Sequence, residues 1–109
     1  MRFLLLIAVE DGPVTDEPTG DDVLRWVKEM DERGVRVLGN RVVPPAEATT
    51  VRVRNGDVVL TDGPFAETRE QMAGFDIIEC ESFEEAIEVA AQHPVARSGL
   101  IEVRPFWEP

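Results

Sequence analysis

Apolar positions run along this chain with two periods. From Arg2 to Val9 nearly every residue is apolar, on both alternating faces, as in a central strand covered on both sides. Glu10 to Gly20 carries Gly12, Pro13, Pro18 and Gly20 and reads as a loop. The period then changes to 3–4: Val23, Val27 and Met30, with Leu24 and Trp26 widening the stripe, predict an amphipathic helix. Thr19 is its N-cap, with Asp22 three residues on. Asp21 and Asp22 suit the positive end of the helix dipole, and Arg33 and Gly34 close the helix.

Val35–Val43 reads as a second strand stopped by Pro44-Pro45. Thr49–Arg54 and Asp57–Thr61 flank Asn55-Gly56, a strong hairpin signal. Asp62 to Thr68 is a loop, and Gly74–Glu81 a further strand. Ser82 and Glu85 form a capping box for a second helix with Phe83, Ala86, Ile87, Ala90 and Ala91 on its apolar face. His93-Pro94 closes that helix, and Gly99–Arg104 is the last strand. Without the hairpin the order is βαββαβ, an α+β ferredoxin-like (split βαβ) arrangement forming one domain over residues 1–109. Both helices then lie on one sheet face. The first strand is apolar on both faces, so a second copy packed sheet to sheet is expected on the other: a homodimer.

Composition narrows the partners. The 109 residues hold 11 Lys and Arg against 22 Asp and Glu, a formal charge of −11. Such a surface repels nucleic-acid phosphates and anionic lipid headgroups, so neither nucleic acid nor membrane is an expected partner. A hydrophobic share of 43% argues for a folded core. The longest apolar run is too short for a membrane helix and follows no cationic leader, so a cytoplasmic location is expected. The lone cysteine, Cys80, excludes an intrachain disulfide and reads as a buried small hydrophobe. No metal-ligand spacing or cofactor motif is present, and no cofactor is expected.

One stretch is more specific. Asp62-Gly63-Pro64-Phe65-Ala66-Glu67-Thr68, followed by Glu70-Gln71, Gly74-Phe75 and Ile78-Glu79, resembles the YCII-related family, in the branch named for its Asp-Gly-Pro-Phe motif. Glu85-Ala86, Gly99 and Ile101 to Pro105 continue the match, and Pro45, Ala48 to Arg52 and Asn55-Gly56 precede it. The resemblance implies a ferredoxin-like fold paired into a dimeric α+β barrel. In the best-known branch it implies a catalytic His–Asp pair, which does not carry over here: the only histidine, His93, is not near the first helix, where that branch places its own. Genes of the Asp-Gly-Pro-Phe branch often lie beside alternative sigma factors.

Three sets of residues are candidates for chemistry. Asp62 is either a turn former, with Gly63 at positive φ and Pro64 fixing the exit, or a catalytic carboxylate at the mouth of the barrel. Strand alternation sets Glu79, Glu102 and Arg104 on the face away from the helices, where they are either an interface salt-bridge network or a ligand-binding cluster. His93 reads as a cation at the C-terminus of the second helix, without the carboxylate and cleft that a general base needs. The leading expectation is a protein that binds a small molecule between sheet and helices; if it is an enzyme, its chemistry is of lyase type and runs on carboxylates rather than on a His–Asp pair. The alternative is a non-catalytic interaction module acting with a sigma factor.

Overall fold

The computed structural model describes residues 1–10 and 16–108. Gly12 and Pro13 of the first loop lie outside the described residues. Strands β1 (Arg2–Glu10), β2 (Arg36–Arg41), β5 (Glu70–Glu79) and β6 (Leu100–Pro105) form one antiparallel sheet in the order β2-β5-β1-β6. With α1 (Gly20–Glu32) and α2 (Phe83–Ala91), this is the expected ferredoxin-like α+β fold. Strands β3 (Thr49–Arg54) and β4 (Asp57–Asp62) form a separate two-stranded sheet, the inserted hairpin.

Alternation along β1 sorts its side chains. Phe3, Leu5 and Ile7 are buried, and with Ile78 of β5 they face the helices. Leu4 and Leu6 point the other way beside Phe75 and Ile77, all only half-buried. The core closes with Trp26 and Met30 of α1 and Ala86, Val89 and Ala90 of α2. The Trp26 indole N–H donates to the Val89 carbonyl at 3.1 Å, so the one polar atom of that ring is paired inside the core.

Both helices start as their sequences direct. Thr19 and Asp22 make the reciprocal capping box. Ser82 accepts from the Glu85 N–H, but the Glu85 carboxylate reaches Glu81 N–H rather than that of Ser82, so the second box closes one residue early. The predicted apolar face of α2 is also rotated: Val89 is buried, whereas Ile87 is exposed. β5 starts at Glu70, four residues earlier than its composition suggests, because β1 pairs with it out to Glu10 beyond a bulge at Ile7/Ala8.

The hairpin turns at Asn55-Gly56, both at positive φ (54° and 81°), as a type I′ turn requires. Val51, Leu60, Val53 and Val58 are cross-strand partners on one of its faces, and all four are exposed. β3 and β4 make their main contacts with each other, and the radius of gyration, 15.8 Å, reflects this projecting arm. A compact chain of this length would have about 13 Å.

Candidate functional site

The apolar stripe of α1 is not fully buried. Trp26 and Met30 are, but Val23 and Val27 are half-buried and Leu24 is exposed. The reason is a cavity of about 800 Å³ between α1 and the β1-β5-β2 part of the sheet. Ile7, Val9, Val23, Leu24 and Val27 form apolar walls, while Arg36, Asp76 and His93 bring polar groups to it. Glu10, Glu17, Asn40 and Arg41 also line it.

Asp76 stands at an inward position of β5 and is 4% exposed. Arg36, at the start of β2, donates from Nε to Asp76 Oδ1 at 2.7 Å. Its Nη2 donates to the Gly39 carbonyl at 2.9 Å and its Nη1 to Asp31 Oδ1 at 3.5 Å. Gly39 makes this possible: a Cβ there would fall on the Asp76 carboxylate. Burial pushes the Asp76 carboxyl above the ordinary aspartate range, although Arg36 pulls it down. Burial also disfavours the charge on Arg36, but the bond and charge of Asp76 outweigh it and hold the guanidinium firmly protonated.

His93 is 2% exposed. It does not end α2 as a cation. α2 stops at Ala91, and His93 caps the next short turn (Pro94–Arg97), its Nδ1 accepting from Val95 N–H at 3.1 Å. Its ring packs against Trp26 with centroids 4.6 Å apart. Burial lowers its pKa from 6.5 to about 4, so it is neutral at pH 7. With Nδ1 accepting, the proton of the neutral ring sits on Nε2. The expectation of a dipole-stabilised cation with no cleft nearby is therefore overturned: the cleft exists, and the histidine lines it.

The other candidates lie elsewhere. Asp62 ends β4, exposed, opposite Thr49. Gly63 beside it has φ +96°, the left-handed backbone expected of the motif. The turn is held by Gly63 N–H donating to the Ala48 carbonyl (2.7 Å) and the Thr50 hydroxyl donating to the Gly63 carbonyl (2.9 Å). The Asp62 carboxylate has no hydrogen-bond partner among the described residues.

Glu79, Glu102 and Arg104 share the outward face of the sheet and are exposed. Arg104 Nε donates to Glu102 at 2.6 Å. Glu79 instead accepts from the N-terminal ammonium at 3.1 Å and from Arg2 at 3.2 Å, and the bond from the N-terminus chiefly holds its pKa down. None of these four residues lines the cavity. Among the described residues no group of three His, Cys, Asp or Glu could hold a metal ion, and no helix is long and apolar enough to cross a membrane. Cys80 is buried, and burial raises its thiol pKa.

Sequence reasoning missed Arg36 and Asp76. A signal was present for Asp76: the alternation that turns Ile78 and Cys80 inward also turns Asp76 inward, and a charge there needs a partner. For Arg36 no local pattern announced the pairing, which spans 40 residues.

The YCII-related domain matches residues 1–108. An uncharacterised protein of Rhizobium meliloti is 39% identical over 98 residues, covering 74% of this chain and 79% of that protein. Among solved structures, the 5-chloro-2-hydroxyhydroquinone dehydrochlorinase of Burkholderia phenoliruptrix, in complex with 2,5-dihydroxybenzoquinone, is similar in fold. It superposes with a TM-score of 0.50 at 14% identity, covering 100% of this chain and 96% of that one. Matched along nearly its whole length by that domain, the chain belongs to the YCII-related family.

Proposed function

We propose that this protein binds a small organic molecule in the cavity between α1 and the sheet and acts on it by lyase-type proton transfer. The observation that carries the reading is the buried Arg36–Asp76 pair in an apolar-walled cavity, with His93 lining the same space. A few polar groups converging in an apolar cleft is the usual form of a small-molecule site, and a carboxyl with a raised pKa suits acid–base work. In an elimination, Asp76 would take the proton from carbon. The C–H electron pair would become the new double bond, and the leaving group would depart with its own pair. Arg36 would hold the Asp76 carboxylate in position for this transfer. The dehydrochlorinase of similar fold supports the reaction class by analogy of architecture.

A thermal-shift screen of small aromatic and alicyclic compounds, with hits mapped by amide NMR, tests this. Hits should perturb Ile7, Val27 and Asp76. Conversion of a hit should fall by about 10² or more in Asp76→Asn while the variant stays folded. Hits that map only to Glu102 and Arg104 would move the site to the outward sheet face and overturn the reading.

We propose also that the chain works as a homodimer. Leu4, Leu6, Phe75 and Ile77 give the sheet's outward face an apolar stripe, and the projecting hairpin adds the exposed patch of Val51, Val53, Val58 and Leu60. A lone two-stranded hairpin is marginal in water, so that patch calls for cover. Sedimentation equilibrium should return about twice 12.2 kDa. A stable monomer would overturn it.

A further inference from the structure

The polar groups of the cavity say which charge of ligand it takes. Asp76 uses Oδ1 for Arg36, and among the described residues Oδ2 has no hydrogen-bond partner. His93 uses Nδ1 for Val95, and its Nε2–H likewise has none. No fully enclosed side-chain polar atom among the described residues lacks a partner, so both of these atoms keep some open surface. Both residues line the cavity, the open space next to them. The cavity thus offers one buried acceptor and one buried donor on apolar walls.

Charge then divides the possible ligands. Each nitrogen of Arg36 already makes one hydrogen bond, to Asp76, Gly39 or Asp31, and Arg41, the other cation of the lining, is exposed, so the buried part of the cavity holds no unpaired cation for an anion. The lining holds Glu10, Glu17 and Asp76 against Arg36 and Arg41, and the whole chain carries −11, which further disfavours an anion. A cation gains little from Asp76, because Arg36 already neutralises it at 2.7 Å and adds its own repulsion.

Resting on the binding site proposed above, we infer that the ligand is an uncharged molecule with an apolar body, carrying a hydroxyl that donates to Asp76 Oδ2 and a second oxygen that accepts from His93 Nε2–H. Selection works through the two buried atoms: a ligand lacking its hydroxyl leaves Asp76 Oδ2 desolvated and unpaired, and one lacking the acceptor does the same to His93.

Four probes on one ring test this with the full chain, titrated and followed by amide NMR. They are 4-hydroxybenzyl alcohol, its dimethyl ether, 4-hydroxybenzoate and 4-hydroxybenzylamine. The alcohol should perturb Ile7, Val27 and Asp76 and bind about tenfold or more tightly than each of the other three. His93→Asn keeps a side-chain acceptor for Val95 N–H but removes the Nε2 donor. It should weaken the alcohol and the ether alike, by about tenfold, because both keep an oxygen that accepts from Nε2–H. If the ether matches the alcohol, or either ion binds more tightly while perturbing the same amides, the ligand class is wrong and the cavity remains the site. If none of the four perturbs those amides, the site proposed above falls together with this inference. The probe series needs no variant, so a misfolded His93→Asn does not spare the inference.

Discussion

Two arginine–carboxylate pairs of this protein have almost the same geometry and opposite surroundings. Arg36 Nε meets Asp76 at 2.7 Å with side chains 16% and 6% exposed, whereas Arg104 Nε meets Glu102 at 2.6 Å with side chains 66% and 48% exposed. Distance alone does not separate them. The exposed pair keeps most of its hydration, gains little from its Coulomb attraction, and is screened by salt. The buried pair has lost that hydration, so each charge depends on the other, and what remains of their hydrogen-bonding capacity turns to the cavity. Environment rather than contact length makes one pair a candidate for chemistry and the other a feature of the surface.

Breaking the buried pair should have the largest effect. Asp76→Ala leaves Arg36 charged without its main partner and should cost about 3–5 kcal/mol in urea unfolding. The double variant Arg36→Met/Asp76→Leu should recover most of that loss, since two apolar side chains need no partner. A single variant that costs under about 1 kcal/mol would show the pair to be as hydrated as the exposed one.

Next comes the acid response of His93. Its folded pKa lies near 4, below the unfolded value of 6.5, so the folded state binds fewer protons in that window. The contribution is fully present above pH 6.5 and is lost as pH falls from there toward 4. The shift corresponds to about 3 kcal/mol. Urea unfolding of the native chain and of His93→Gln at pH 7 and pH 4.5 should show the larger loss in the native chain. Equal losses would mean that the imidazole is solvated.

The smallest effect belongs to the exposed pair. Measured at a dilution that separates the protomers, Glu102→Gln should change stability by about 0–1 kcal/mol, and the difference should shrink in 1 M salt. A loss comparable to that of Asp76→Ala under that condition would erase the contrast.

How much of this was legible beforehand depends on the range of the cause. The Thr19 cap, the Asn55-Gly56 turn, the positive φ of Gly63 and the alternation of β1 follow from a few neighbouring residues, and they appear where the sequence places them. Errors arose where a neighbour distant in the chain decides. β5 starts early because β1 is there to pair with it, and α2 turns Val89 inward because Trp26 and the sheet lie on that side. His93 looked like a helix-terminal cation because its local sequence ends a helix. Only packing against Trp26 shows that it is buried and neutral.

Local sequence accounts for the order of elements, the faces of the strands, the ferredoxin-like class and, through the match over residues 1–108, the family. Those are products of local periodicity, capping and turn chemistry, which act within a few residues. Tertiary structure alone decided which charges matter. Arg36 and Gly39 meet Asp76 only when β2 docks against β5, and His93 joins them along the cavity only when the turn after α2 folds back beneath α1. Desolvation is set by everything that surrounds a group, and so it exists only once the chain has closed around it.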